Sequence, residues 1–462
     1  MTLKCEWTQY LGPGSSPGGH QLTDWLTGVQ PLDMCALRLI NGSFGLGTRF
    51  LAPSSVRLVR KTLYGSQPSA DTGTNVTSCG QQLEVHHSRW PHCLHFTYTW
   101  LRDHCRCPQC YDHKTYQRKY EISNIPLGIR PVAVKATEKE LKVKWPDGHE
   151  SGYEYKFLWQ NTFEGQQTSY RMPQLPWTTA TLPEAHQTTA SFKNLTYGFI
   201  LDKYCTVPLG DLCDPEKGGV KRLIYAIVKH GFAFISEVPA DIESTRTAIE
   251  KVCNIKNTFF GDMWSMKGTN YEHFDSAYST AYIGAHTDST YFTQACRIQV
   301  FHCLQPATEG GENLLVDGFS IAKQFRDKHP KGYAFLSSEA IPSEYIEDGQ
   351  HQVSLDTIFK HNPVTRNIKQ FRYNIYDRAP LSSLPMEKTQ DFYTHFSNLS
   401  KIINNPKNEY WLKLNPGTVL LTDNWRLMHG RANFTGARFM CGCYLDNDDF
   451  CSKARVLEVQ LE

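Results

Sequence analysis

Short runs of β-branched and aromatic residues, separated by turn-forming residues, recur through the C-terminal half of this 462-residue chain. Each run has the length of one strand, and none is long enough to be a helix by itself. Many short strands divided by turns are typical of sandwiches and jelly rolls. The runs are Phe232–Ile235, Arg297–Cys303, Asn313–Val316, Gln370–Tyr373, Thr418–Leu421 and Phe439–Tyr444.

Helical periodicity occurs beside these strands. Lys221–His230 has an amphipathic pattern and ends at Gly231, a residue that commonly terminates helices. Ser320–Lys328 and Lys388–Ile403 also predict helices. We therefore predict a mixed, mainly β domain over residues 176–462, with a double-stranded β-helix (jelly-roll) and flanking helices.

A smaller β-rich domain is expected over residues 82–175. Leu94–Trp100 and Leu141–Trp145 alternate in polarity and are predicted to be strands. Tyr153–Trp159 predicts an extended or mixed segment. The Thr- and Pro-rich stretch 176–190 is interpreted as the linker to the larger domain.

Residues 1–81 differ from the rest and are predicted to be an extension. From Met34 to Ala70 there is no Asp or Glu, although five Arg and Lys residues occur there. A basic, acid-poor composition is typical of a mitochondrial transit peptide. Because such a peptide should start at the N-terminus, the hypothesis requires Met34 to be the working start or the first 33 residues to be extraneous. A disordered basic tail is the alternative.

Charge and cysteine content exclude some classes of function. The net charge is only +2, so nothing favours a nucleic acid or membrane surface as partner. No run of eighteen apolar residues predicts a transmembrane helix. The 15 cysteines are an odd number without a secretory signal, which indicates mostly reduced thiols in an intracellular protein.

A candidate iron site is formed by the pair His286 and Asp288 with the distant His429. Two neutral imidazoles and one carboxylate suit Fe(II) and leave one face of the ion open. In an extended strand, residues i and i+2 point to the same side, so His286 and Asp288 would face one ion. An H-x-D pair also occurs by chance, and a late histidine is more often structural. Arg438, on a following strand, adds a guanidinium fork suited to the distal carboxylate of a keto acid.

Four motifs lie in order along the larger domain: His286–Phe292, Leu315–Phe319, Asp423–Arg431 and Cys441–Tyr444. Together they resemble the carnitine-biosynthesis dioxygenases, the family of trimethyllysine dioxygenase and γ-butyrobetaine dioxygenase. The resemblance covers roughly residues 82–462 and implies Fe(II) at His286, Asp288 and His429, with 2-oxoglutarate at Arg438. It further implies ascorbate as reductant and a homodimer.

A second metal site is expected in the smaller domain. Cys105, Cys107 and Cys110 place three thiolates within six residues, and His149 in a Pro-Asp-Gly-His turn is the candidate fourth ligand. On spacing alone, a cluster of idle reduced cysteines stays open. The γ-butyrobetaine enzyme has a similar pattern, which implies a structural Zn(II) with no open position.

Aromatic residues before the iron pair are candidates for binding a small trimethylammonium substrate, which is recognised by ring faces. Phe260, Trp264 and Tyr278 fall where the resembling family builds its aromatic cage, although rings more often fill cores. The family commonly has Tyr at the position of Phe260, so a hydroxyl is lost there while the ring face is kept.

Two polar residues favour the trimethyllysine subtype. Trimethyllysine has an α-ammonium that γ-butyrobetaine lacks, so a nearby anion would favour it. Asp275 matches the position where, in the resembling family, trimethyllysine dioxygenase has Asp and the γ-butyrobetaine enzyme has Asn, and Asn374 matches a second polar contact. The resemblance thus implies hydroxylation of trimethyllysine at C3, the first step of carnitine biosynthesis, in the mitochondrial matrix. The alternatives are γ-butyrobetaine hydroxylation in the cytoplasm, an oxygenase of another cationic substrate, and a non-catalytic binding protein that kept the fold.

Overall fold

The computed structural model describes residues 73–162, 174–179, 181–182, 205–267, 279–347 and 349–459. All of them belong to one compact unit, Ser69–Glu462. The predicted extension up to residue 72, and the sites predicted at Asp275 and Tyr278, lie outside the described residues. No helix in the described ranges is both long and apolar enough to cross a membrane.

The smaller region is built from two three-stranded antiparallel sheets, ordered β1-β2-β3 and β6-β7-β8. Leu83, Phe96, Leu141 and Trp145 are fully buried in its core. Its strands are β1 (Thr74–Cys79), β2 (Gln82–His87), β3 (Leu94–Thr97), β4 (Tyr111–Asp112), β5 (Gln117–Arg118), β6 (Ala133–Ala136), β7 (Glu140–Lys144) and β8 (Glu150–Glu154), with helices α1 (Tyr98–Asp103) and α2 (Tyr155–Gln160).

Two sequence expectations for this region need correction. The boundary at residue 82 divides a hairpin, because β1 pairs with β2 from Thr74 onward. The strand predicted over Leu94–Trp100 ends at Thr97, whose hydroxyl accepts a hydrogen bond from the Trp100 amide and caps α1. Tyr153–Trp159 is mixed, as one of the two predicted possibilities, because the end of β8 is followed by α2 from Tyr155.

The larger region contains all six strands and all three helices predicted there, within a few residues. Its strands are β9 (Thr206–Pro208), β10 (Phe232–Ser236), β11 (Trp264–Lys267), β12 (Ile283–His286), β13 (Ile298–Gln305), β14 (Glu309–Gly310), β15 (Asn313–Asp317), β16 (Ile341–Glu347), β17 (Gln350–Asp356), β18 (Phe359–His361), β19 (Ile368–Phe371), β20 (Tyr410–Leu412), β21 (Thr418–Asp423), β22 (Leu427–Arg431), β23 (Phe434–Thr435) and β24 (Phe439–Leu445). Its helices are α3 (Leu209–Cys213), α4 (Gly219–His230), α5 (Ile242–Glu250), α6 (Gly318–Lys328), α7 (Pro330–Ser338), α8 (Met386–Ile403) and α9 (Asn447–Val456).

Two sheets of this region carry the double-stranded β-helix that the strand pattern predicts. The larger has the order β11-β24-β13-β21-β10-β9, and the smaller has the order β12-β22-β15-β20. Their neighbours are remote in sequence, so side chains from distant segments meet on the inner faces. Leu420, Val300 and Phe234 in the larger sheet are fully buried.

The segment interpreted as a linker contributes to this core at its start. Trp177 is 4% exposed and packs edge-on against Phe232 and Tyr410. Its amide donates to Asp317, which forms a fully buried ion pair with Arg426. Residue 177 is therefore a packed part of the larger domain.

Candidate active site and metal-binding clusters

His286 and His429 are brought together by strand register. His286 is the last residue of β12, and its Cα partner across the antiparallel pair is His429 on β22. The ring centroids are 4.4 Å apart. Gly430 allows the strands to approach, since a Cβ there would lie 2.6 Å from the carbonyl oxygen of Ile283.

Asp288 joins the two imidazoles by a different route from the one expected. It lies two residues beyond the end of β12, so strand alternation does not place it. Instead, Asn424 holds its backbone: the Asn424 amide oxygen accepts from the Asp288 N–H at 2.8 Å, and the amide nitrogen donates to the Asp288 carbonyl at 3.0 Å. The three side chains converge as predicted, but the Asn424 side chain, and not the strand, holds Asp288 in place.

The three side chains form a tight cluster of ligand atoms. Asp288 Oδ1 lies 3.2 Å from His286 Nε2 and 3.5 Å from His429 Nε2. Burial alone would lower the pKa of His286, but the hydrogen bond and charge of Asp288 raise it. Burial would raise the pKa of Asp288, yet the nearby imidazoles hold it well below its usual range. Burial lowers the pKa of His429 to about 3, so this imidazole is neutral at physiological pH.

Several observations show that this donor set fits a divalent metal. His286 Nδ1 lies 2.8 Å from the Gly284 carbonyl, a contact that fixes the ring and leaves Nε2 for an ion. The second carboxylate oxygen of Asp288 accepts from Gln299 Nε2 and from the Tyr444 hydroxyl, which leaves Oδ1 for the same ion. The His-Asp-His set is the one that non-haem Fe(II) oxygenases use.

The cluster opens into a cleft whose lining is part aromatic and part charged. Arg438 immediately precedes β24, lines this cleft and is 8% exposed. Among the described residues, no carboxylate forms an ion pair with it. Burial and the charge of Arg438 together lower the pKa of Arg431, also in the cleft, to about 10. Two buried guanidinium groups that repel each other make this end of the cleft attractive to an anion.

Aromatic rings line another part of the cleft. Phe260 and Trp264, both predicted, are lining residues. Tyr345 packs edge-on against Phe260 at 5.7 Å, and Trp264 lies 6.4 Å from Tyr444. The predicted cage residue Tyr278 and the predicted selectivity residue Asp275 cannot be placed, because they lie outside the described residues.

Asn374 lines the cleft as predicted, but its amide is engaged in a local turn. Its oxygen accepts from the Tyr376 amide at 2.8 Å, and its nitrogen donates to Asp377 Oδ2 at 2.6 Å. Asp377 also lines the cleft and contributes to the raised pKa of His286. Of the described lining residues, Asp377 is the carboxylate that is not in the His-Asp-His cluster.

The predicted cysteine cluster is assembled at the tip of the β7–β8 hairpin. His149 Nε2 lies 3.3 Å from the sulfur of Cys105 and 3.5 Å from those of Cys107 and Cys110. The Asp147 carboxylate accepts from the His149 amide and shapes the turn. Arg102 Nη1 donates to Cys110 Sγ at 3.4 Å, which stabilises the thiolate form.

The lining residues that the sequence reasoning missed include Gln299, Tyr345, Asp377 and Tyr444. Tyr345 lies on the β16–β17 hairpin, whose signal was the Asp-Gly pair at 348–349 between alternating segments. Gln299 and Tyr444 were inside predicted strands, but no local pattern distinguishes a cleft-facing polar residue from a core one.

Comparisons with known proteins show which families the sequence of this chain resembles. The family model "Taurine catabolism dioxygenase TauD, TfdA family" matches residues 191–444, and "Gamma-butyrobetaine hydroxylase-like, N-terminal" matches residues 75–159. The mitochondrial trimethyllysine dioxygenase of Bos taurus is 35% identical over 79% of this chain and 84% of its own length. That of Gallus gallus is 34% identical over 84% and 90%. A crystal structure of a taurine dioxygenase from Burkholderia xenovorans aligns with a TM-score of 0.41 and 13% identity over 54% of this chain and 92% of that chain.

The cysteine cluster lies within the match to the γ-butyrobetaine hydroxylase-like model, and the His-Asp-His cluster lies within the match to the TauD, TfdA family model. The curated relatives extend across both matches at more than 30% identity. The resemblance drawn from the motifs is thereby confirmed. The chain belongs to the trimethyllysine dioxygenase family, within the Fe(II)- and 2-oxoglutarate-dependent dioxygenases.

Proposed function

We propose that this protein hydroxylates N6,N6,N6-trimethyllysine at C3, with 2-oxoglutarate and dioxygen as co-substrates and succinate and carbon dioxide as co-products. This would be the first step of carnitine biosynthesis. One observation carries the proposal: the His-Asp-His cluster opens into a cleft that offers aromatic faces and a buried arginine. The names of the curated relatives supply the substrate.

The proposed iron ligands are His286 Nε2, Asp288 Oδ1 and His429 Nε2. Ferrous iron with bound 2-oxoglutarate supplies the oxygen activation that side chains alone do not provide. The chain's own contribution is to fix these atoms before the metal arrives. The Gly284 carbonyl orients one imidazole and the Asn424 side chain holds the Asp288 backbone.

Arg438 is proposed to bind the distal carboxylate of 2-oxoglutarate. Its guanidinium is buried, and no ion pair with a described carboxylate competes for it. A bidentate pair between guanidinium and carboxylate is strong and fixes orientation. Repulsion from Arg431 is relieved when the anion binds, which adds to the attraction.

Phe260 and Trp264, with Tyr278, are proposed to bind the trimethylammonium group. A quaternary ammonium has no N–H to donate, so ring faces that attract the cation by about 2 kcal/mol when desolvated are the suitable partners. Phe in place of Tyr at residue 260 keeps the ring face. The ring is held by Phe259 at 4.1 Å and by Tyr345.

The amino-acid end of the substrate is proposed to meet Asp275, Asn374 and Asp377. Asp275 and Asn374 were predicted from the sequence, whereas Asp377 is added because it lines the cleft in the structure. Its carboxylate is held in place by the Asn374 amide, so Asn374 would position an anion for the α-ammonium. An ammonium beside two carboxylates in a partly dry cleft is favoured over an uncharged group.

Cys105, Cys107, Cys110 and His149 are proposed to bind a structural Zn(II). Three sulfurs and one nitrogen that all lie within 4.8 Å of one another suit a closed tetrahedral site. The Arg102 guanidinium offsets the negative charge of three thiolates. Zinc should survive chelators that strip the iron, and a preparation with one equivalent of metal, all iron, would contradict this proposal.

Three further attributes rest on the family alone. Ascorbate would keep the iron ferrous between turnovers, the protein would be a homodimer, and it would act in mitochondria like the relatives named for that compartment. A reporter fused to residues 34–75 tests the mitochondrial location, and light scattering of the purified protein tests the homodimer.

The decisive experiment measures succinate release with Fe(II), ascorbate and 2-oxoglutarate. Trimethyllysine, γ-butyrobetaine and lysine are added in separate assays. Strong stimulation by trimethyllysine, with product hydroxylated at C3, is expected. Preference for γ-butyrobetaine would replace the proposed substrate, and no stimulation by any of the three would favour a non-catalytic role.

A further inference from the structure

The two carboxylate oxygens of Asp288 have different surroundings. Oδ1 faces the two imidazoles, whereas Oδ2 accepts hydrogen bonds from Gln299 Nε2 and from the Tyr444 hydroxyl, the latter at 2.7 Å. We propose that Gln299 and Tyr444 are positioning residues that keep Asp288 a one-oxygen ligand, so that the metal retains the coordination positions that 2-oxoglutarate and dioxygen need. This inference rests on the proposed iron site.

Sheet register brings both donors to the same oxygen. Gln299 on β13 and Tyr444 on β24 are direct Cα partners in the antiparallel pair. Partners on adjacent strands extend their side chains from the same face of the sheet, close enough to share one acceptor. Both residues are buried, with 2% and 7% of their surface exposed, so neither side chain is free to turn away.

Gln299 is an unfavourable residue at this position unless its amide nitrogen is needed. Its Oε1 is buried and has no hydrogen-bond partner among the described residues. A buried acceptor without a donor costs about 1–3 kcal/mol, and an apolar side chain of similar size would avoid that cost. The hydrogen bond from Gln299 Nε2 to Asp288 Oδ2 is the interaction that compensates for this cost.

The two donors decide between two ways of binding a metal. A carboxylate with both oxygens free binds cations through one oxygen or through both. Hydrogen bonds from an amide and a phenol occupy the lone pairs of Oδ2 and favour the first mode. Without them, the second oxygen competes for a position that the keto acid would use. Loss of either donor should therefore weaken keto-acid binding while leaving the fold in place.

The test uses cobalt(II), whose visible spectrum changes shape when one ligand replaces another. Wild type, Tyr444→Phe, Gln299→Met and the control Tyr410→Phe are stripped of iron with zinc retained in the cysteine cluster, loaded with one equivalent of Co(II) and titrated with 2-oxoglutarate. The Tyr410 hydroxyl is also buried, in the core, and has no hydrogen-bond partner among the described residues, so its removal should change nothing. In the two test variants we expect a Co(II) spectrum of altered shape before the keto acid is added, because the second oxygen of Asp288 replaces water on the ion, and a 2-oxoglutarate dissociation constant raised about tenfold or more.

The outcomes distinguish failure of the proposed roles of Gln299 and Tyr444 from failure of the proposed iron site. Dissociation constants within twofold of wild type, together with an unchanged Co(II) spectrum, in both test variants would overturn the inference and leave the proposed iron site standing. Wild-type protein that binds no Co(II), or that binds it equally after His286→Ala, would overturn the site itself. If Tyr444→Phe does not fold, Gln299→Met decides, because it removes the second donor from the opposite strand.

Discussion

The two metal-type clusters of this chain are assembled in opposite ways. The cysteine cluster is local: three ligands come from one loop and the fourth from the tip of one hairpin. The His-Asp-His cluster takes its imidazoles from β12 and β22, strands that are distant in sequence and adjacent in the sheet. The first has four ligands and the second has three.

This difference predicts a separate role for each of the two proposed metal sites. Four ligands around one ion saturate it and bind neighbouring loops together, which stabilises a small region without adding reactivity. Three ligands leave coordination positions free, and only a completed sheet can hold them in place. The cysteine cluster, which we call the closed site, should therefore govern stability. The His-Asp-His cluster, which we call the open site, should govern turnover. Mutation of each tests this division.

The largest expected effect is on turnover at the open site. His286→Ala and Asp288→Ala should each reduce turnover by at least about 1,000-fold, equivalent to about 4 kcal/mol, because an open site with two ligands does not hold its metal. Both metal-free variants should remain folded, although Asp288→Ala leaves the buried Gln299 and Tyr444 donors without their acceptor and should lower the melting temperature more than His286→Ala does. Succinate release and differential scanning calorimetry measure the two quantities. His113→Ala, an exposed histidine in the smaller region, is the control.

The corresponding change at the closed site should act on stability first. Cys110→Ser removes a thiolate that contributes to a binding free energy of about 10–16 kcal/mol for comparable zinc peptides. We expect zinc loss and rapid proteolysis between residues 73 and 162, measured by metal analysis and limited trypsin digestion. Cys79→Ser, at an exposed cysteine, should do neither. A Cys110→Ser protein that keeps its zinc would break the comparison.

Arg438→Met sharpens the description of the open site. Removal of the buried guanidinium should raise the KM for 2-oxoglutarate about 10- to 100-fold, since a hydrogen bond to a charged group is worth about 1.5–3 kcal/mol. The KM for trimethyllysine should change little. Arg455→Met, on the exposed side of α9, serves as control. Equal increases in both constants would mean that Arg438 shapes the whole cleft.

Asp377→Asn should alter selectivity by a smaller factor. Asparagine keeps the size of the side chain but not its charge, so kcat/KM for trimethyllysine should fall about tenfold, or about 1.4 kcal/mol. γ-Butyrobetaine lacks the α-ammonium and should be nearly unaffected. Asp275→Asn is expected to act in the same direction. The control Asp391→Asn, on the exposed side of α8, should change kcat/KM for neither substrate. Equal losses on both substrates would assign Asp377 to the fold of its turn.

The smallest effect concerns pH and the metal-free protein. Asp288 raises the pKa of His286 above its unfolded value, so a protonated His286 stabilises the fold below that unfolded value. This stability is lost as pH rises through the folded pKa. The lowered pKa of His429 acts in the opposite direction, so the His286 contribution is measured as the melting temperature of metal-free wild type minus that of metal-free His286→Ala. This difference should decrease slightly from pH 6 to pH 8.5, and a difference that does not change with pH would contradict the prediction.

Sequence alone predicted the elements whose patterns are local. Apolar runs located β13, β21 and β24, and the glycine at 231, which has a φ of 87°, marked the end of α4. The cysteine cluster was accessible for the same reason, because its spacing lies within one loop and one turn.

Features that depend on tertiary contacts were not accessible. The helix α1 replaced half of a predicted strand because a threonine hydroxyl caps it. Asp288 reaches the imidazoles through Asn424, which lies on a segment remote in sequence. Asp377 and Tyr345 enter the cleft from loops and hairpins whose direction no periodicity reveals.

The pairing of His286 with His429 across two strands has a consequence for folding quality. A shift of one residue between β12 and β22 would turn one imidazole to the opposite face of the sheet. Such a molecule would keep its strand content, and circular dichroism would not distinguish it from the native form. Preparations that contain it would show less than one equivalent of bound iron. Metal stoichiometry therefore measures the fraction of molecules in which β12 and β22 pair in the native register.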